Sequence, residues 1–164
     1  MRTITNNTNT NNTNIYFTAN TNICNSNDSV IERWNSVVNA NDTVYAVGNL
    51  ATDLSAVEKL KGKIFILLSD TDMHYYREYL DLKHSKKNKN IIGVESMHLL
   101  QINSVNIFLC YNVMPSVLGG FLLHIYGDNS MRMQGSNFLN VDYSRHNRLL
   151  SVDEIINMLK EQAA

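Results

Sequence analysis

The sequence predicts an α/β fold in which two β-sheets pack face to face with helices outside. Three observations carry this expectation. Over the first half of the chain, short β-rich runs alternate with helical stretches, the pattern of a sheet built from strand–helix–strand units. Within that half, Ile64-Phe65-Ile66-Leu67-Leu68 is a continuous apolar run, as expected of a strand buried on both faces. The second half turns strand-rich and contains a hairpin pattern, which calls for a second sheet.

The elements follow in order. Residues 1–14 are Asn/Thr-rich with almost no apolar content, so they cannot offset the entropy of ordering and are expected to form a disordered tail. Residues 15–164 are expected to form one domain. Ile15 to Ala19 reads as a strand that breaks into a polar loop, Asn20 to Asn27. Ser29-Val30-Ile31-Glu32 has capping-box spacing and opens a helix with Ile31, Trp34 and Val38 on its apolar face. Asn39 to Asp42 is turn chemistry, Thr43 to Val47 the next strand, and Gly48 its end. Leu50 to Leu60 reads as a second helix stopped by Lys61-Gly62. After the Ile64–Leu68 strand comes the polar loop Ser69-Asp70-Thr71-Asp72, then a helix through Tyr75 to Leu82 and a basic, solvated stretch from Lys83 to Lys89. Met97–Ile102 and Asn106–Tyr111 flank Asn103-Ser104-Val105 as a hairpin. Phe121–Tyr126 and Phe138–Val141 are further strands, and Ser151-Val152-Asp153-Glu154 is a second capping box opening a terminal helix.

Composition excludes several classes of function. With 14 Lys plus Arg against 15 Asp plus Glu, the chain carries a formal charge of −1 and has no general electrostatic reason to hold nucleic acid. No apolar run approaches the roughly 20 residues that span a bilayer, and the polar start of the chain lacks the apolar stretch of a secretory signal. Two cysteines, Cys24 and Cys110, are too few for a disulfide scaffold and are expected to be reduced, inert thiols in a cytoplasmic protein. The five histidines, His74, His84, His98, His124 and His146, are scattered, with none in a ligand-like pair. Tyr75, Tyr76 and Tyr79, at helical spacing, read as packing residues.

In folds of this kind ligands gather on loops at the carboxyl ends of the strands. There the chain resembles the calcineurin-like metallophosphoesterases, in particular their small phosphodiesterase-like members. The residues that carry the resemblance are Tyr16-Phe17-Thr18-Ala19-Asn20-Thr21-Asn22, Asp42 through Ala51, Leu60-Lys61-Gly62-Lys63-Ile64, Leu109-Cys110-Tyr111, Leu123-His124-Ile125-Tyr126, Asn140-Val141-Asp142 and Val152-Asp153-Glu154-Ile155. They cover nearly all of residues 15–160 in the family's order and spacing. The resemblance implies two mixed β-sheets in a four-layer sandwich flanked by helices.

The metal-ligand positions depart from the family at every motif. Asn20-Thr21-Asn22 stands where the family has Asp-x-His, and Gly48-Asn49 where it has Gly-Asp. Ser69-Asp70-Thr71-Asp72 falls on Gly-Asn-His-Asp, Tyr111 on a lone ligand His, and Ile125-Tyr126-Gly127-Asp128 on the closing Gly-His-x-His. Two divalent cations a few ångströms apart need a bridging carboxylate and further anionic or imidazole ligands to offset their repulsion. Asn49 brings no charge to the bridging position, amide oxygens are poor ligands for zinc or manganese, and Thr71 is no acid near neutral pH.

The resemblance therefore implies a pseudoenzyme that needs no cofactor and works by binding a protein partner or a phosphate-containing ligand. Asn20, Asn22, Asn49, Asp70, Asp72, Tyr111 and Asp128 are the candidate contacts, and Thr71 and Tyr126 are further degenerate positions. Tyr111 and Tyr126, larger than the imidazoles they replace, are expected to fill the vacated cavity or to stack on a base. Two alternatives stand beside this reading. One is a hydrolase with remodelled ligation of manganese, magnesium or calcium through Asp70, Asp72 and Asp128. The other is a structural subunit of a homo-oligomer.

Overall fold

The computed structural model describes residues 13–26, 28–85, 90–114, 122–130, 133 and 137–162. Two mixed sheets form the frame. The first has the order β4-β3-β2-β1-β9, from β1 (Ile15–Thr18), β2 (Thr43–Val47), β3 (Lys63–Leu67), β4 (Ile91–Glu95) and β9 (Leu150–Ser151). β1 to β4 run parallel, and β9 lies antiparallel on β1. The second sheet has the order β5-β6-β7-β8, from β5 (Met97–Ile102), β6 (Val105–Cys110), β7 (Leu122–Tyr126) and β8 (Phe138–Asn140). There β5 and β6 are antiparallel, while β6, β7 and β8 are parallel.

Alternation along the strands builds two cores. On β2, Tyr45 and Val47 face the second sheet, joining Phe17, Phe65 and Leu67 against Leu100, Ile107, Leu109, Leu123 and Ile125. Val44 and Ala46 face the other way, with Ile64 and Ile66, and meet Ile31 and Trp34 of helix α1 (Asp28–Val37), Val38 just after it, and Tyr79 of α2 (Tyr76–His84). Both faces of the first sheet are covered, which explains why β3 reads as unbroken hydrophobicity. Helix α3 (Tyr143–His146) is one short turn, and α4 (Val152–Gln162) places Ile155 in the core between the sheets. On the outer face of the second sheet the described residues show no packed helix, so the expected fourth layer is not seen among them.

Several expectations need correction. Helix α1 begins at Asp28, one residue before Ser29, so its capping-box spacing falls inside the helix. Leu50–Leu60 does not form an α-helix. Ile23 pairs with Ala51, and its backbone binds Leu50, Thr52 and Asp53, so those groups cannot join a helix. What remains is a 3₁₀ segment at Leu54–Lys59, capped by the Asp53 side chain accepting from the Ser55 N–H. The hairpin loop is two residues, Asn103 and Ser104, both with positive φ (49° and 66°), and Val105 already belongs to β6.

Strand β4 was not anticipated; Gly93 sits under the Phe65 ring, where a Cβ would come within 2.3 Å of a ring carbon. Neither were α3 and β9. Of the predicted tail, residues 1–12 lie outside the described residues, whereas Asn14 is held: its N–H donates to Asp42 Oδ1 (2.8 Å) and its carbonyl accepts from the Thr43 N–H. Of the basic stretch, Lys83 and His84 end α2, and residues 86–89 lie outside the described residues, as does Phe121. Among the three tyrosines expected to pack, only Tyr79 is buried; Tyr75 and Tyr76 are exposed.

Candidate functional site

The carboxyl ends of β1, β2, β3 and β6, with the loops after β7 and β8, converge on one polar cluster. Asn20, Asn22 and Asn49 all adopt left-handed backbone, with φ of 54°, 46° and 51°. Asparagine tolerates that region better than most side-chain-bearing residues, and each turn aims an amide back at the strand ends. The main chains are locked as well: the N–H groups of Asn20 and Asn22 donate to the carbonyls of Gly48 and Asn49, both at 2.9 Å.

The amides form one oriented network. Asn20 Nδ2 donates to the Gly127 carbonyl (2.8 Å) and to the Asp142 carboxylate. That orientation turns Asn20 Oδ1 toward Asn49, whose Nδ2 donates to it at 2.8 Å and to the Tyr111 hydroxyl at 3.2 Å. Asn49 Oδ1 in turn lies 2.6 Å from the Ser69 hydroxyl. Asp72, buried, accepts at Oδ2 from the backbone N–H groups of Asn49 (2.6 Å) and Ser69 (2.9 Å). On the other flank Asp142, fully buried, accepts from Ser144, Asn20 and Asn129. Burial pushes its pKa up, but those hydrogen bonds outweigh it and hold the carboxyl below its ordinary value.

Tyr111 closes the centre. Its ring lies over Gly48, where a Cβ would fall 2.1 Å from a ring carbon, and against Gly127. Its carbonyl accepts the N–H groups of Gly127 (3.2 Å) and Asp128 (3.0 Å), tying the loop after β7 to the end of β6. Burial, aided by the Asp128 charge, raises the Tyr111 pKa, so its hydroxyl stays neutral.

The candidates thus separate into two groups. Asn20, Asn49, Asp72 and Tyr111 meet in the network. Asn22 is exposed and donates to the Asn20 carbonyl, while Asp70 and Thr71 are exposed on the loop after β3. Asp128 spends its carboxylate on the N–H (2.7 Å) and hydroxyl (2.8 Å) of Ser130, capping its own turn. Tyr126 does not reach the centre. Strand alternation places it with His124 on the outer face of the second sheet, the two rings 5.8 Å apart. Ser69, Asn129 and Asp142 belong to the network without having been singled out; the signal for Asp142 was its place at the end of the Phe138–Val141 run, and in the structure it bridges to Ala19.

This donor set does not fit a pair of divalent cations. The amide nitrogens of Asn20 and Asn49 point inward, Asn20 Oδ1 is taken by Asn49, and both buried carboxylates are filled by N–H and O–H donors. Among the described residues no three His, Cys, Asp or Glu side chains form a metal-holding group, so Asp70, Asp72 and Asp128 are not brought together.

No family model matches the chain, and no curated protein matches it. Among solved structures it is similar to the protein of unknown function AQ665 from Aquifex aeolicus, with a TM-score of 0.65 and 13% identity over 90% of this chain and 100% of that one. This likeness establishes a shared mixed α/β fold with two sheets and flanking helices.

Proposed function

We propose that this chain is a metallophosphoesterase-like protein without hydrolytic activity that acts by binding a protein partner across the carboxyl-end loops. The closed amide–carboxylate network carries the reading. Where the resembling enzymes need paired anions around cations, every polar atom named above already has a partner within the protein. The Tyr111 ring lies directly over Gly48 and fills the space between the strand ends there. Beside Asp72 in the chain, Met73, Tyr75 and Tyr76 are exposed, and aromatic and methionine side chains are the residues that protein interfaces favour.

Manganese titration by calorimetry, paired with an assay on bis-p-nitrophenyl phosphate, tests the inactivity: neither stoichiometric binding nor turnover is expected, and finding both would sink the reading. A photo-crosslinking residue placed at Tyr76 is expected to trap a discrete partner in cells. The same residue at Val105, also exposed but in the second sheet, is not.

A further inference from the structure

At the other end of β1 lies a second feature that owes nothing to the network. Tyr16, the last turn of α1 and the chain from Asn147 to Glu154 enclose an open cleft of about 410 Å³. That volume falls within the roughly 300–1,000 Å³ of small-molecule sites. One wall is apolar, formed by the Tyr16 ring, Leu149 and Val37, which is 47% exposed. The other wall is basic. Arg33 Nη1 donates to Asn147 Oδ1 at 2.5 Å, and Asn147 is fixed by its left-handed backbone (φ 53°) and by its N–H donating to the Tyr143 carbonyl at 2.7 Å. Arg148, next in the chain, pairs with Glu154 at 3.0 Å.

The charges do not cancel. Glu154 answers Arg148 with Oε1 and spends Oε2 on the N–H (2.8 Å) and hydroxyl (3.0 Å) of Ser151. Arg33 has no carboxylate within 4.0 Å among the described residues. Its planar fork is thus held in place by a neutral amide, with no further hydrogen bond and one positive charge in excess among the described residues that line the cleft. On a chain of formal charge −1, an unneutralised guanidinium beside an apolar wall is a specific feature.

We infer that this cleft binds a small organic anion, with a phosphate or carboxylate head on Arg33 and an apolar ring or chain against Tyr16 and Val37. Both heads share the chemistry that the guanidinium fork recognises. The inference stands apart from the proposed function, since it uses none of the residues at the carboxyl-end loops.

Calorimetry with phenyl phosphate, benzoate and inorganic phosphate on the full chain tests it. Phenyl phosphate or benzoate is expected to bind saturably, at least tenfold tighter than inorganic phosphate, and whichever ring anion binds better identifies the head group. Arg33→Gln is expected to weaken that binding at least tenfold and Arg148→Gln about threefold, while Arg145→Gln, outside the cleft, leaves it unchanged. Thermal melts confirm that each variant is folded. The inference is overturned if no ring anion saturates below about 10 mM, if inorganic phosphate binds equally well, or if Arg33→Gln binds like the unaltered protein.

Discussion

The network around Asn20, partly buried, and the pocket around His124, wholly buried, are both polar, yet they are built on opposite terms. In the first, each amide and carboxylate is satisfied by a named partner. His124 has no solvent exposure and sits among Phe108, Tyr126 and Phe138, with neither ring nitrogen in hydrogen-bond geometry among the described residues. Burial pushes its pKa down to about 4, against the smaller opposing effect of the Cys110 backbone. One region tolerates polarity by pairing it; the other tolerates it only while the ring stays neutral.

The sharpest way to break the first region is Asn20→Asp. The change deletes the donor to Gly127 and sets a carboxylate against Asp142, and it is expected to cost about 3–4 kcal/mol at pH 7 in urea unfolding. Because protonating either carboxyl restores a donor, the deficit is expected to shrink in acid. If the variant is as stable as the parent at pH 7, the network is not closed in the way described.

Next in size is the pH dependence of His124. Its folded pKa lies below the unfolded value of about 6.5, so the unfolded chain binds the proton more readily. The contribution is whole above pH 6.5 and drains away as pH falls toward 4, amounting to about 3 kcal/mol, and it levels off below that. Asp142 responds in the same direction at lower pH: its depressed pKa gives stability that is whole above its ordinary value and is lost as pH falls through the lower folded one. Denaturation at pH 7.5, 5 and 3 separates the two windows, and His124→Leu is expected to abolish only the first.

A smaller effect is expected from Gly48→Ala. Gly48 has φ of 83°, and the added methyl runs into Tyr111, for a cost of about 2 kcal/mol. Tyr111→Ala in the same chain is expected to recover part of it, so a double-mutant cycle should show coupling of about 1 kcal/mol. Additive costs would mean that the ring does not press on Gly48. Nearer the surface, Ser151→Ala removes the part-buried cap that exchanges hydrogen bonds with Glu154, for an expected loss of about 1 kcal/mol in the same urea unfolding.

What could be read from the sequence was whatever depends on local pattern. β2 and β3 came close to their ends, the Ile31–Trp34–Val38 stripe is buried, and the Ser151–Glu154 box forms as its spacing implied. What failed depends on distant partners. Leu50–Asp53 had helical composition, but its backbone pairs with Ile23; β4 carries a register shift and a glycine that suit it to Phe65 rather than to any local rule. At the site, Asn20 and Asn49 stood out through their motif positions. Their amide orientations are set by Asp142, Gly127 and Ser69, far away in the chain, and no spacing rule reaches that far. Tyr126 is a different kind of miss, since the alternation of Leu123 and Ile125 inward already turned it outward.

β1 has a consequence for how the molecule comes into being. It is flanked by β2 on one edge and by β9 on the other, where Tyr16 meets Ser151 across nearly the whole described chain. A ribosome has therefore delivered β1 through β4 long before the segment that borders β1's second edge emerges. Until then the nascent protein holds an open strand edge, which is the stage at which a chaperone or a neighbouring chain has its best purchase.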